Sequence, residues 1–409
     1  MPEQASKRIG VIVPEITNTG GVASVAEFVI RAIREKSQYQ YKIVSLAMAA
    51  RDRASLLLTQ PGTWARGAHA LDGDFRGYPF RHVGAIASEI ESRRYLPRRV
   101  LAREVADCDL LQVVAGVPAW ANPVMDLGKP VSLQVATLID VERRRLVGNW
   151  QGPAGTWRRL MTRRIRALDD AVLQRIDAVQ VENNWMLNHC RTACERSGVD
   201  LRFAAPGVDT DRFQPCELRP DLPGYIMTVG RMSDPRKRHM LLLEAYRILC
   251  ERMELPPRLL LAGPDGPTLQ FQERASELGL WDRIDVHIFP EKTELARLYR
   301  EAGAFVLASD EEGFGVTVIE AMASGIPVIS TRSGGPDDII ADGVDGYLVD
   351  RDDAQALADR MTNLSSNHQR NIEMGIRARR SVEERYSEAV TASAFIEVFD
   401  TLLQDSPAA

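Results

Sequence analysis

Residues 309–331 read SDEEGFGVTVIEAMASGIPVIST, a polar loop, a Gly-Phe-Gly turn, an apolar helical stretch and a β-branched run in immediate succession. The closing run is apolar without alternation, which suits an interior strand of a parallel sheet covered on both faces. Upstream the same alternation recurs. YIMTVG, RLLLAG, IDVHIF and AFVLAS read as strands, with helices between them around 240–250, 268–278 and 293–302, and another from about Val316. Strands joined by helical crossovers predict a doubly wound unit.

The amino-terminal half repeats the theme less clearly. KRIGVIVP, residues 7–14, leads through TNTGGVASVAEFVIRAI as strand, Gly-rich turn and helix, and further strands are expected at 41–46, 110–114, 131–135 and 178–181. FQPCELRPDLPG, residues 213–224, is rich in proline and without periodicity, and marks a linker. The expected class is therefore α/β, with two facing doubly wound, Rossmann-like domains and a cleft between them. The first spans residues 1–212 and the second residues 213–389, leaving residues 390–409 as an apolar terminal helix with a frayed tail. Ligands of such sheets bind beyond the carboxyl ends of the strands.

Composition narrows the class. With 45% apolar and 26% charged residues the chain is neither disordered nor fibrous. Cys108, Cys190, Cys194, Cys216 and Cys250 lack the paired spacing of a disulfide framework or a zinc site, which favours a reducing compartment. No run approaches the ~20 apolar residues of a membrane span, and the apolar stretch near the start is too short for a signal peptide, so a cytoplasmic location is expected. Residues 1–200 carry 28 Lys and Arg against 21 Asp and Glu, whereas the remainder carries 23 against 35. The basic half suits an anionic acceptor or membrane face, or simply a solvated surface. Arg143–Arg145 with WRRLMTRRIR, residues 157–166, adds a tryptophan-bearing basic stretch that could lie on the inner face of an anionic membrane. Nucleic acid is not among the expected partners.

The chemistry is densest in the quoted stretch. Glu312 and Glu320 are separated by seven residues and bracket the Gly-Phe-Gly turn. If a helix starts near Val316, the free N–H groups of residues 314–317 face the space between the two carboxylates. A helix start of this kind suits a diphosphate, and flanking carboxylates suit sugar hydroxyls. VGRMSDPRKRH, residues 229–239, follows a strand and offers Arg231 and Lys237; lysine is scarce here, with six against 45 arginines. An ammonium and a guanidinium together can neutralise a departing diphosphate. Gly20 and Gly21 permit close backbone approach, or merely a tight turn.

These phrases resemble family 4 of the retaining glycosyltransferases, which has the two-domain GT-B fold. EGFGVTVIEAMASGIPVI and the upstream GR…PRK phrase carry the likeness, and AAPGVDTDRF, residues 204–213, is similar to the family's entry into its linker. The resemblance implies Arg231 and Lys237 on the donor diphosphate, Glu312 on the donor sugar and Glu320 on the ribose. It also implies Phe314, Gly315 and Val316 as backbone donors to phosphate, a Gly20–Gly21 loop closing over it, and a terminal helix that crosses back to the first domain. The expected activity is transfer of a sugar from a nucleotide-diphosphate sugar to an unidentified acceptor, with retention of configuration. Neither a metal nor a further cofactor is expected: Asp72-Gly73-Asp74 and Asp107-Cys108-Asp109 match the short pattern of metal-using transferases, yet neither belongs to a convincing donor site. One departure stands out, Ala136 where the family usually carries histidine. A binding-only protein and a nucleotide-sugar epimerase of the same fold therefore stay open as alternatives.

Overall fold

The computed structural model describes residues 6–16, 20–144, 150–216 and 224–404. The chain divides into two compact units, one formed by Met1–Pro206 with Ala392–Ala409 and the other by Gly207–Thr391. Phe213 thus lies inside the second unit, and most of the proline-rich stretch, residues 217–223, falls outside the described residues.

The first unit is built on eight strands, β1 (Arg8–Pro14), β2 (Gln40–Leu46), β3 (Ala70–Phe75), β4 (Tyr78–Val83), β5 (Leu110–Ala115), β6 (Val131–Val135), β7 (Ala178–Val181) and β8 (Asp200–Phe203). Their order is β3-β4-β2-β1-β5-β6-β7-β8, parallel throughout except for the antiparallel β3–β4 pair at the edge. β5, β6 and β7 are buried along their whole length, as the unalternating runs predict. One face packs Leu111, Val113, Leu133, Val135 and Val179 against the helices Gly152–Leu173 and Asn184–Ser197. Cys190 and Cys194 are simply part of this core.

The helix Glu388–Gln404 contributes its later turns to this unit. Phe395 meets Phe28 of the helix Gly21–Lys36 edge to face at 5.2 Å. Tyr39 donates to the Asp400 carboxylate, and Lys7 Nζ donates to the Leu403 carbonyl at 2.9 Å.

The second unit carries six parallel strands, β9 (Ile226–Val229), β10 (Leu259–Gly263), β11 (Ile284–Ile288), β12 (Ala304–Leu307), β13 (Val328–Thr331) and β14 (Gly346–Val349), in the order β11-β10-β9-β12-β13-β14. The strand order therefore reverses between β9 and β12, the position where doubly wound sheets open a crevice for ligands. Local chemistry sets the intervening helices. Thr268, Asp353 and Asn367 each accept a hydrogen bond from a backbone N–H two or three residues into the helix that follows. β14, at the edge, is not among the strands expected from the sequence.

Candidate functional site

Both principal phrases meet at that reversal. β9 ends at Val229, and Gly230 passes so close to β10 that a Cβ on Gly263 would stand 2.0 Å from the Gly230 carbonyl oxygen. The loop beyond is held from below by Asp265, whose two carboxylate oxygens accept from the N–H groups of Met232 at 2.7 Å and Ser233 at 3.0 Å. Burial works against the charge on Asp265, but these hydrogen bonds outweigh it and keep its pKa below the ordinary carboxylate value.

A single 3₁₀ turn, Pro235–Lys237, follows, opened by Asp234, which accepts from Arg236 N at 3.0 Å and pairs with the Arg236 guanidinium at 2.9 Å. Arg238 closes the turn in the left-handed region, φ +52°, and the helix His239–Arg252 begins. This short turn aims two cations at the loop after β12. Asp310 N donates to the Arg236 carbonyl at 2.8 Å, Arg236 pairs with Glu311 at 3.0 Å, and Lys237 Nζ donates to Glu312 Oε1 at 2.6 Å. Ser309 Oγ donates to the same Glu312 oxygen at 2.5 Å. His239, buried beneath, is pushed down to about 4 by burial and then by the Lys237 charge, so it adds no further positive charge there.

The Glu312 backbone is knitted to the end of β13, with its N–H donating to the Ser333 carbonyl at 2.8 Å and its carbonyl accepting from Gly335 N at 2.9 Å. Phe314 turns its ring inward against Tyr386, 5.6 Å between centroids, which leaves the backbone to carry the turn. Gly315, at φ +107°, is the residue from which the helix Val316–Ala323 springs. The first N–H groups of any helix lack partners within it, so this end is electropositive. Glu320 lies in the second turn, and its Oε2 accepts from the hydroxyl of the fully buried Tyr299 at 3.0 Å.

Of the residues singled out from the sequence, Lys237, Glu312, Phe314, Gly315, Val316 and Glu320 therefore occupy one stretch of the second unit. Arg231 sits on the same loop, 57% exposed, with its guanidinium 3.6 Å from Asp234. Gly20 and Gly21 belong to the first unit, where Gly20 at φ +103° opens the helix Gly21–Lys36 and a side chain at either glycine would meet nothing. Ala136 follows β6, and its carbonyl accepts from Asn183 Nδ2 at 3.0 Å. The two Asp-x-Asp phrases serve the fold. Asp72 pairs with Arg81, Asp74 accepts from Gly77 N, Asp107 holds Arg8 and Lys42, and Asp109 accepts from Arg8 N. Arg236, Glu311, Ser309, Asp265 and Tyr299 were not anticipated, although the matched pairs Arg236-Lys237 and Glu311-Glu312 are visible as adjacent like charges of opposite sign.

A match to a known protein family falls on the same part of the chain. Residues 209–381 match the family described as glycosyl transferases group 1. A D-inositol 3-phosphate glycosyltransferase of Corynebacterium urealyticum is 30% identical over 254 residues, 60% of this chain and 60% of that protein. A second D-inositol 3-phosphate glycosyltransferase, from Catenulispora acidiphila, is 31% identical over 49% of this chain and 50% of its own length. The chain thus matches half to three fifths of these relatives. Among solved structures, the sucrose-phosphate synthase of Thermosynechococcus elongatus superposes with a TM-score of 0.70 at 18% identity, over 98% of this chain and 100% of that one. Anabaena HepE, solved in complex with UDP and glucose, gives 0.67 at 14% identity, over 97% and 100%. At these identities the likeness is one of fold.

Proposed function

From a second unit whose residues 209–381 belong to the glycosyl transferases group 1 family, in a chain of GT-B fold, we propose that this protein is a retaining glycosyltransferase. It moves a sugar from a nucleoside-diphosphate sugar to an acceptor hydroxyl. The observation that carries the reading is the Lys237–Glu312 pair, 2.6 Å apart at the point where the strand order reverses and beside a helix start.

In this reading the donor diphosphate lies against the N–H groups of Phe314, Gly315 and Val316, with Arg231 and Lys237 neutralising the charge that builds on it as it leaves. Glu312 accepts from hydroxyls of the transferred sugar and Glu320 from the ribose, sharing its carboxylate with Tyr299. The acceptor oxygen forms its bond to the anomeric carbon on the face from which the diphosphate departs, and the leaving diphosphate takes the acceptor's proton. No carboxylate serves as nucleophile, and neither a metal nor a further cofactor has a role. The relatives are named for an anionic, hydroxylated acceptor, and the excess of seven positive charges over residues 1–200 suits an acceptor of that kind.

The test is thermal unfolding against UDP-, GDP-, ADP- and dTDP-sugars, wild type beside Lys237→Ala. A donor at about a hundred times its dissociation constant adds roughly 2.7 kcal/mol to the folded state. One donor should shift the wild type and not the variant, and with an acceptor present the nucleoside diphosphate should be released. A shift without any release over a panel of anionic polyols would favour a binding-only protein. No shift with any donor removes the reading.

A further inference from the structure

The helix Gly152–Leu173 is amphipathic twice over. Its inner face, Met161, Thr162, Ile165, Asp169, Val172 and Leu173, is buried. The outer arc carries apolar side chains as well: Trp157 is 48% and Leu160 42% exposed. At 100° per residue these two fall on one side of the helix together with Arg164, and Arg163 flanks Leu160, while Arg159 lies farther round and donates to the Trp150 carbonyl at 2.6 Å. Among the described residues Arg158, Arg163 and Arg164 have no carboxylate partner, and the first exposed acid on the helix is Asp170. Arg143, which the sequence grouped with this basic stretch, turns inward instead to Glu91 and Thr162, and Arg145 lies outside the described residues.

We propose that this outer arc docks the protein onto an anionic lipid surface, with Trp157 and Leu160 entering the headgroup region and Arg163 and Arg164 meeting lipid phosphates. The charge is complementary, and the apolar pair discriminates between partners. A nucleic acid could stack on a tryptophan and pair with arginines, but it has no use for an exposed leucine beside them, whereas an interfacial helix needs both components. Among the described residues no helix is long and apolar enough to cross a membrane, so any attachment through them is peripheral. The helix also carries Asp169, which accepts from Ala119 N at 2.7 Å and Ile139 N at 3.1 Å. Docking would therefore fix the loops that follow β5 and β6, at the ligand-binding end of this sheet.

The experiment is co-sedimentation of the full chain with vesicles of pure phosphatidylcholine and with vesicles containing roughly a third phosphatidylglycerol. Nucleotide-sugar thermal shifts are measured on the same preparations. The wild type should pellet with the anionic vesicles only, less as salt rises. Arg163→Glu/Arg164→Glu and Trp157→Ala/Leu160→Ala should each weaken that binding about tenfold or more while leaving unfolding midpoints and donor shifts as they were. Failure to pellet, equal pelleting with neutral vesicles, or undiminished binding by either double variant overturns the proposal. So does tighter binding to an RNA oligonucleotide than to anionic vesicles at equal salt. Because donor shifts are read separately, loss of membrane binding and loss of the donor site are distinguishable.

Discussion

Lys237 Nζ and Glu312 Oε1, 75 positions apart in the chain, lie 2.6 Å from one another and are mostly buried, with side-chain exposures of 19% and 12%. Each thus holds the other in a single orientation before any substrate arrives. A preorganised cation costs nothing to reorient when charge develops on a leaving group.

Lys237→Ala should lower turnover at least about tenfold, or ~1.4 kcal/mol of transition-state stabilisation. The fold should persist, because Ser309 still donates to Glu312 and the backbone of the turn is held by Asp234 and Asp265. Steady-state kinetics with circular dichroism reads both. A variant that keeps more than half the wild-type rate rules out this role for Lys237.

The fold was largely legible because buried parallel strands advertise themselves as unalternating apolar runs. What escaped was the edge. β3 and β4 read ALDGDF and YPFRHV, half exposed and interrupted by charge, proline and glycine. They are joined at Arg76-Gly77 with φ +55° and +84°, the both-positive geometry of a type I′ turn. Such turns announce themselves in sequence as Asn-Gly or Asp-Gly, and an arginine in the first place hid this one. The residues of the candidate site stand out in the sequence, but their pairings do not. Lys237 and Glu312 are conspicuous separately, yet only the β9–β12 adjacency brings them together, and Tyr299 gives no sign in the sequence that it would hold Glu320.

Tyr299 is fully buried between Phe213 and Phe305, with only its hydroxyl reaching Glu320. Tyr299→Phe keeps the packing and removes the hydroxyl that donates to Glu320 at 3.0 Å and, more weakly, to the Thr317 carbonyl at 3.4 Å, which should cost about 1 kcal/mol of stability. If that hydroxyl sets the orientation in which Glu320 meets the donor, the Michaelis constant for the donor should rise severalfold with turnover little changed. An unchanged Michaelis constant would mean that Glu320 needs no such support.

A Cβ at Gly335 would lie 2.0 Å from the Phe314 carbonyl oxygen, a backbone atom that cannot swing aside. Gly335→Ala must therefore move the Gly-Phe-Gly turn bodily. The expected result is a folded protein destabilised by roughly 1–3 kcal/mol whose donor-induced thermal shift is lost. Wild-type donor shifts in the variant would show that the turn can relax without disturbing the helix start at Val316.

A testable pH signature comes from the first unit. Glu182, 4% exposed, follows β7 and accepts from Gln134 Nε2 at 2.9 Å. Among the described residues no cation pairs with it. Burial pushes its pKa from 4.5 up to about 7, and the Gln134 hydrogen bond offsets only part of this. A carboxyl whose folded pKa is raised is at its most stabilising while neutral in both states, below about pH 4.5. Between there and pH 7 the unfolded chain ionises while the folded one does not, so this stability is lost as pH rises through that window, and above it the loss is complete. Holding this carboxyl at about 7 rather than 4.5 corresponds to about 3 kcal/mol. Glu182→Gln keeps an acceptor for Gln134 and cannot ionise. It should match the wild type near pH 4.5 and unfold several degrees above it at pH 8, as read by thermal denaturation at the two pH values. A gap of the same size at both would mean that Glu182 is not forced to ionise inside the folded unit, and that its carboxylate has a partner or a path to water.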